Sequence, residues 1–374
     1  MIYIVGIIIA LFLAFILLTK KNKIVADKIL FGWLFVISIH LILFSIIFSD
    51  EYLKFPYVLG LEIPMPLLHG PFLYLYTKSL TNGKFSIKKS SIHFVPYLIT
   101  LISLIPFLLL KWEEKIRVYQ NEGQQYETLT TITLIAVIIS SLVYTCLSLD
   151  ILIKHEKQIK DRFSYTERIN LKWLYRLTIG LSGIWLLVLF ADDEVIFVSV
   201  VVYVIFIGYY GIKQVGIFTN SPTKDLIKSS ISFNTNKPSQ PTMSSSKYTK
   251  STLSNEQAES IHKALGLVMR EKKLYLKPQL TLAMVSNVLQ IHPNSLSQVI
   301  NSFEQKNFFD YINTLRIKEF ETRIAHEENQ KYTLLSLALE CGFNSKTSFN
   351  RNFKNLTGKS PTQYIKEKTT KPNF

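Results

Sequence analysis

Ala338-Leu339-Glu340-Cys341-Gly342-Phe343-Asn344-Ser345-Lys346-Thr347-Ser348-Phe349-Asn350-Arg351-Asn352-Phe353-Lys354 holds the end of one helix, a turn and most of a second helix. Thr333–Glu340 reads as the first helix, Cys341-Gly342-Phe343-Asn344 as the turn, and Ser345–Leu356 as the second helix. Gly342 suits the left-handed residue that closes a helix, and Ser345 suits an N-cap. A short helix, a tight turn and a second helix with a polar outer face make a helix-turn-helix pattern.

The same grammar appears some fifty residues earlier. Ser254 is placed to cap a helix over Glu256–Lys272. Thr281–Leu289 follows, with Leu282, Val285 and Leu289 on one face. Gln290-Ile291-His292-Pro293 makes the turn, and Asn294–Phe303 turns Leu296, Val299 and Ile300 inward. Between the two copies runs an amphipathic stretch, Phe308–His326, carrying Leu315, Ile317, Phe320 and Ile324. As a helix it is about 28 Å long. Such a strut suits two recognition helices entering successive major grooves about 34 Å apart.

The first two hundred residues have a different character. Overall the chain is 48% hydrophobic and only 18% charged, too apolar for one soluble domain. Seven apolar runs stand out: Ile2–Thr19, Ile29–Phe48, Tyr57–Leu80, His93–Leu110, Leu129–Ile153, Trp173–Ala191 and Val195–Gly211. Runs of roughly 18–20 such residues suffice to cross a hydrocarbon core. A secretory signal peptide is the rival reading of the first run. Its charges should precede the apolar core, whereas Lys20, Lys21 and Lys23 follow it. Positive charge alternates between connections. Residues 20–28, 78–92 and 154–172 carry Lys20, Lys21, Lys23 and Lys28; Lys78, Lys84, Lys88 and Lys89; and Lys154, Lys157, Lys160, Arg162, Arg168 and Lys172. The opposite connections are poor in it. That bias puts the N-terminus outside and everything after Gly211 in the cytoplasm, which needs an odd number of spans. The third run is interrupted by Glu62, Pro64, Pro66, His69 and Pro71. Glu62 and His69, seven residues apart, fall on one helical face and are the candidate signal-ligand residues. The alternative is a polar contact between helices. Asp150 and Arg176, near the cytoplasmic ends of their runs, pair or reach toward the headgroups.

Three domains result: a seven-helix transmembrane unit at 1–215, a tether at 216–253 rich in Ser, Thr, Lys, Asn and Pro, and a helical unit at 254–374. Residues 220–374 hold 22 Lys and Arg against 12 Asp and Glu, a net +10 that suits a polyanion. An ordinary basic domain beside anionic lipid fits that charge too. Cys146 and Cys341 offer neither a disulfide framework nor metal-ligand spacing, and both read as packing residues. No catalytic constellation, metal site or cofactor motif is visible.

From Tyr275 to Lys366 the sequence resembles the AraC/XylS-type transcription regulators. Ala338–Lys354 carries most of that resemblance, and Leu356-Thr357-Gly358-Lys359-Ser360-Pro361-Thr362-Gln363-Tyr364 looks like the family's closing motif. The first copy is looser, with Leu282-Ala283, Leu296-Ser297, Tyr311-Ile312-Asn313 and Leu315-Arg316-Ile317. Ile300 stands where an aromatic is usual, and Phe320 where Ala is frequent. The membrane half is similar in topology alone to the seven-span sensors of some bacterial regulators of this type. The resemblance implies an all-α fold with a cytoplasmic homeodomain-like pair of helix-turn-helix units. It implies base reading by Asn294, Ser297 and Gln298, and by Lys346, Thr347, Ser348 and Arg351. Arg351 suits a bidentate contact to guanine and Gln298 one to adenine. Arg316, Lys354 and Lys359 are the expected phosphate contacts.

The expected protein is a multi-pass regulator of the bacterial inner membrane that couples a membrane or extracytoplasmic signal to promoter binding, with no enzymatic activity. Its expected partners are double-stranded promoter DNA, the lipid bilayer, RNA polymerase, a second copy of the chain and a signal ligand. A receptor whose helical tail binds a protein instead of DNA is the alternative; steep weakening by salt would mark DNA. A transporter with a regulatory tail would favour internal repeats in the membrane half, and the sequence has none.

Overall fold

A computed structural model describes residues 2–81, 90–167, 169–213, 253–329 and 331–370. The tether expected at 216–253 lies, up to residue 252, outside the described residues, as do Lys84, Lys88, Lys89 and Arg168. The described residues are helical, with one isolated antiparallel bridge, between Phe163 and Thr281. The chain divides into two compact units, residues 1–154 with 171–231 and residues 155–170 with 232–374.

In the first unit, α1 (Ile2–Thr19) packs on α2 (Val25–Phe48), and both belong to a core completed by α3 (Pro66–Thr81) and later helices. α1 buries Ala10, Leu13, Ala14 and Leu17, a three-four spacing that defines one helical face. Its other side leaves Ile4, Ile8, Phe12 and Phe15 uncovered. Between α1 and α2, the Asp27 carboxylate accepts from the Ile24 amide at 2.8 Å and from the Lys20 ammonium at 2.9 Å. The α2 N-terminus and its basic connection are thereby fixed to one another.

The fourth apolar run divides into α4 (Val95–Ser103) and α5 (Ile105–Leu108), followed by a polar helix, α6 (Trp112–Gln120). α7 (Glu127–Arg162) is 36 residues, about 54 Å, and exposes Ile132, Ile135, Ile139, Leu142 and Ile153. α8 (Lys172–Leu187) and α9 (Asp193–Lys213) close the unit. Gly6 lets α1 approach α9, because a Cβ there would stand 2.7 Å from Val201 Cγ2.

Seven spans were expected. Among the described residues, three helical stretches are long and apolar enough to cross a membrane by length and composition: Val25–Phe48, Gln124–Arg162 and Asp193–Tyr210. The other four runs are helical but shorter or broken. In the third, a chain of turns through Gly60, at φ +89°, delays the helix until Pro66. Pro64 and Pro66, lacking amide protons, suit a helix start and not a helix interior. Pro106 marks the break in the fourth.

The second unit carries α10 (Asn255–Lys272), α11 (Leu282–Leu289), α12 (Pro293–Glu304), α13 (Phe308–Ile324), α14 (Leu334–Glu340), α15 (Lys346–Thr357) and α16 (Pro361–Thr370). Side-chain caps start most of them. Ser254 accepts from the Gln257 amide, Thr281 from Met284, Asn307 from Asp310, Thr333 from Ser336 and Ser345 from Ser348. The linker helix α13 feeds two cores. Phe308, Tyr311 and Ile312 join Leu265, Val285, Leu296 and Ile300, while Ile317 and Phe320 join Leu337, Phe343, Phe349 and Phe353. Phe320, which stands where the resembled sequences often carry Ala, is fully buried with its ring 4.7 Å from that of Phe349.

Candidate nucleic-acid interface

Each recognition helix has one face locked into a core, and that fixes which side chains can leave it. In α12 the buried residues are Leu296, Val299 and Ile300, so Asn294, Gln298 and Asn301 project outward with Ser297 at the margin. His292 caps this helix, its Nδ1 accepting from the Asn294 amide at 3.2 Å. In α15 the buried residues are Ser348, Phe349, Asn352 and Phe353. Lys346, Thr347, Asn350 and Lys354 are exposed, and Arg351 is half-buried beside them.

Two expectations are corrected by this geometry. Ser348 does not face outward: its carbonyl accepts from Asn352 Nδ2 at 2.9 Å within the core side of α15. Arg316 does not reach for phosphate, being 1% exposed. Its Nε donates to the Tyr275 carbonyl at 2.7 Å and one terminal nitrogen to the Lys277 carbonyl at 2.7 Å. The other terminal nitrogen donates to the Ser164 carbonyl at 3.1 Å and to Asn313 Oδ1 at 3.2 Å. Burial pushes the guanidinium down to about 10, against a smaller opposing pull from Glu167. Beside it, Gly342 at φ +93° leaves no room for a Cβ, which would lie 2.6 Å from the Tyr275 carbonyl oxygen. Arg316 thus ties the loop before the first helix-turn-helix to the linker helix and to Ser164, and its guanidinium stands 5.9 Å from the centroid of the Phe343 ring in the second turn.

Lys359 is exposed but pairs with Glu367, a contact worth about 0–1 kcal/mol that a phosphate can displace. Asn301 and Asn350 share the outward faces and were missed from the sequence. Three residues past Gln298 and four past Lys346, they were detectable by helical spacing alone.

In the first unit Glu62 and His69 do not share a face, because Glu62 precedes the helix. The Glu62 carboxylate accepts from the Gly60 amide at 3.0 Å and from the Tyr119 hydroxyl. It lines a cavity of about 280 Å³ walled by Leu104, Phe107, Val118, Tyr119 and Tyr126. His69 is buried elsewhere: its Nδ1 accepts from Trp33 Nε1 at 3.3 Å, and its Nε2 lies 3.0 Å from His40 Nδ1. With Nδ1 accepting, neutral His69 carries its proton on Nε2 and donates to His40. Among the described residues no group of three or more His, Cys, Asp or Glu is arranged to hold a metal ion.

Residues 285–367 match the family described as Helix-turn-helix domain, under a quarter of the 374 residues. The match covers both recognition helices and the linker helix between them, and it supports an AraC-type regulator with DNA as partner. That family is one of DNA-binding regulator domains and not of enzymes. No curated protein and no solved structure matches the chain.

Proposed function

We propose that the chain is a membrane-anchored transcription regulator that couples a signal at its apolar unit to sequence-specific promoter binding by its helix-turn-helix pair. The observation that carries this reading is the combination in one chain. A helix-turn-helix unit with polar recognition faces is joined to a helical unit whose outer surface is apolar. Soluble monomers rarely expose contiguous apolar patches beyond a few hundred Å², and α1 and α7 expose rows of large aliphatic side chains. Lipid is the solvent such surfaces fit. Seven crossings, with the N-terminus outside, reconcile the helices with the alternating basic connections.

Asn294, Ser297 and Gln298 on α12, and Lys346, Thr347 and Arg351 on α15, are the proposed base readers; Lys354 and Lys359 hold phosphates. Asn301 and Asn350 extend the two reading faces. The Glu62 cavity is the proposed signal site. Its aromatic and aliphatic walls, with one carboxylate–phenol pair, suit a small ligand with an apolar body and a hydrogen-bond donor. RNA polymerase and a second copy of the chain complete the proposed partners.

The test is selection of duplexes from a random library by the full chain in lipid nanodiscs. Recovery of a shared sequence, with affinity falling steeply as salt rises, is the expected result. Absence of DNA retention at low salt overturns the reading and favours a protein-binding tail. Reporters fused after Gly211 and within 111–128 should be active only in the cytoplasm and only in the periplasm, respectively.

A further inference from the structure

The second unit contains a piece of chain from far upstream. Residues 155–170, the end of α7 and the connection to α8, group with the helix-turn-helix pair. Phe163 faces Thr281 in the antiparallel bridge, and the Ser164 amide donates to the Leu280 carbonyl at 3.1 Å. The Ser164 carbonyl accepts from Asn313 Nδ2 at 3.2 Å and from Arg316, and its hydroxyl accepts from Arg316 at 3.0 Å. Phe163, Ser164 and Thr166 are all buried by this docking. A segment held through its backbone, on buried partners, is a seated element and not a passing loop.

Two residues further on, the same segment reaches the second recognition helix. A terminal nitrogen of Arg351 donates to Thr166 Oγ1 at 3.3 Å and lies 3.8 Å from a Glu167 carboxylate oxygen. That oxygen is buried and has no hydrogen-bond partner, so the ion pair with Arg351 is its polar contact, while its mate accepts from the Thr166 amide at 3.2 Å. A carboxylate and a hydroxyl are acceptors of the kind that guanine O6 and N7, or a phosphate, offer an arginine. Arg351 has one guanidinium, and the segment occupies the end that a base edge requires.

We propose that the face formed by Leu280, Asn313, Arg316 and Arg351 is a docking surface for the chain's own 155–170 segment, and that this segment competes with DNA for Arg351. The proposal rests on the DNA-reading assignment of α15. The segment continues α7, a helix long and apolar enough to span a bilayer. A shift of that helix therefore moves Ser164 and Glu167 directly, giving the membrane unit a covalent handle on the reader.

The test is DNA binding by the full chain in nanodiscs, carrying Phe163→Cys and Thr281→Cys in a Cys146→Ser background. Residues opposed in an antiparallel pair have Cα atoms about 4.5–5.5 Å apart, within disulfide range. Oxidation fixes the segment in place, and reduction frees it in the same protein, so each preparation is its own folding control. The oxidised form should bind the selected site at least tenfold more weakly than the reduced form. Glu167→Ala, without the staple, should tighten binding about two- to fivefold, the scale of one partly exposed ion pair. Equal affinity in oxidised and reduced forms, with site preference intact, overturns the docking proposal and leaves the DNA reader standing. If neither form nor the parent binds duplex DNA at low salt, the reader reading fails and the competition fails with it.

Discussion

Replacing Arg316 by Met tests whether this side chain holds the unit together or holds DNA. Methionine keeps the length and most of the volume, so the substitution removes the charge and the donors without opening a large cavity. Arg316 makes five hydrogen bonds of 3.2 Å or shorter, to Tyr275, Lys277, Asn313 and, twice, Ser164. Two acceptors keep other donors. The Ser164 carbonyl retains Asn313 Nδ2, and the Lys277 carbonyl retains the Leu280 amide at 3.2 Å. The Tyr275 carbonyl loses the 2.7 Å donor it had. One orphaned buried carbonyl costs about 1–3 kcal/mol, and bonds to a charged donor add about 1.5–3 kcal/mol each before compensation. Relief from burying the guanidinium, several kcal/mol for an ion, offsets most of that sum, leaving about 3 kcal/mol net. At 1.4 kcal/mol per factor of ten, amides that exchange by opening of this unit should exchange about a hundredfold faster. Hydrogen–deuterium exchange of the full chain, read by mass spectrometry over 275–281, 313–320 and 342–349, measures this directly. A phosphate contact behaves otherwise: its loss leaves exchange unchanged and lowers the salt slope of DNA binding by about one. That second pattern would refute the keystone role.

Three further outcomes are expected. Arg351→Ala should cost about 1–3 kcal/mol on the selected site and spare nonspecific DNA, whereas Lys354→Ala should weaken both alike; competition binding on the two kinds of duplex separates them. Burial acts to raise the Glu319 carboxyl, but hydrogen bonds from Arg323, Tyr275 and Lys273 outweigh it and hold the group below its ordinary value. A lowered carboxylate stabilises the fold above its unfolded value, and that contribution disappears as pH falls through its folded value. Glu319→Gln should therefore lose protection at neutral pH, and its deficit should close below the glutamate range; a gap constant from pH 7 to pH 3 in pH-corrected exchange contradicts this. Glu62→Gln should abolish the transcriptional response while membrane insertion and DNA binding persist, and a normal response in a promoter-reporter assay makes the Glu62 cavity structural.

The helix-turn-helix pair was legible because local rules and tertiary packing agree there. Ser345 caps where a cap was expected, Gly342 takes the positive φ its place demanded, and the elements fall within two residues of their expected ends. The first two hundred residues were legible only as apolar runs. Apolarity alone does not say whether a run is one straight helix. The turn at Gly60 and the break at Pro106 are decided by backbone chemistry that a hydropathy window averages away.

Site residues divide along a similar line. Arg316 was assigned from residue type, since arginine suits phosphate. Its helix phase said the opposite: Ile312, Asn313, Arg316, Ile317 and Phe320 recur at one- and three- or four-residue steps, and all are buried. Ser348 likewise travels with Phe349, Asn352 and Phe353, while Lys346, Thr347, Asn350, Arg351 and Lys354 form the opposite face. Periodicity outranks side-chain chemistry on an amphipathic helix, because a core face is specified by every residue on it together. The shared face expected of Glu62 and His69 is absent for the converse reason: a seven-residue spacing implies a shared face only if the helix exists at both ends, and here it begins at Pro66. The docking of 155–170 had no signal of either kind. Ser164 and Arg316 stand 152 residues apart, and neither helical phase nor the composition of a basic connection specifies a contact at that separation.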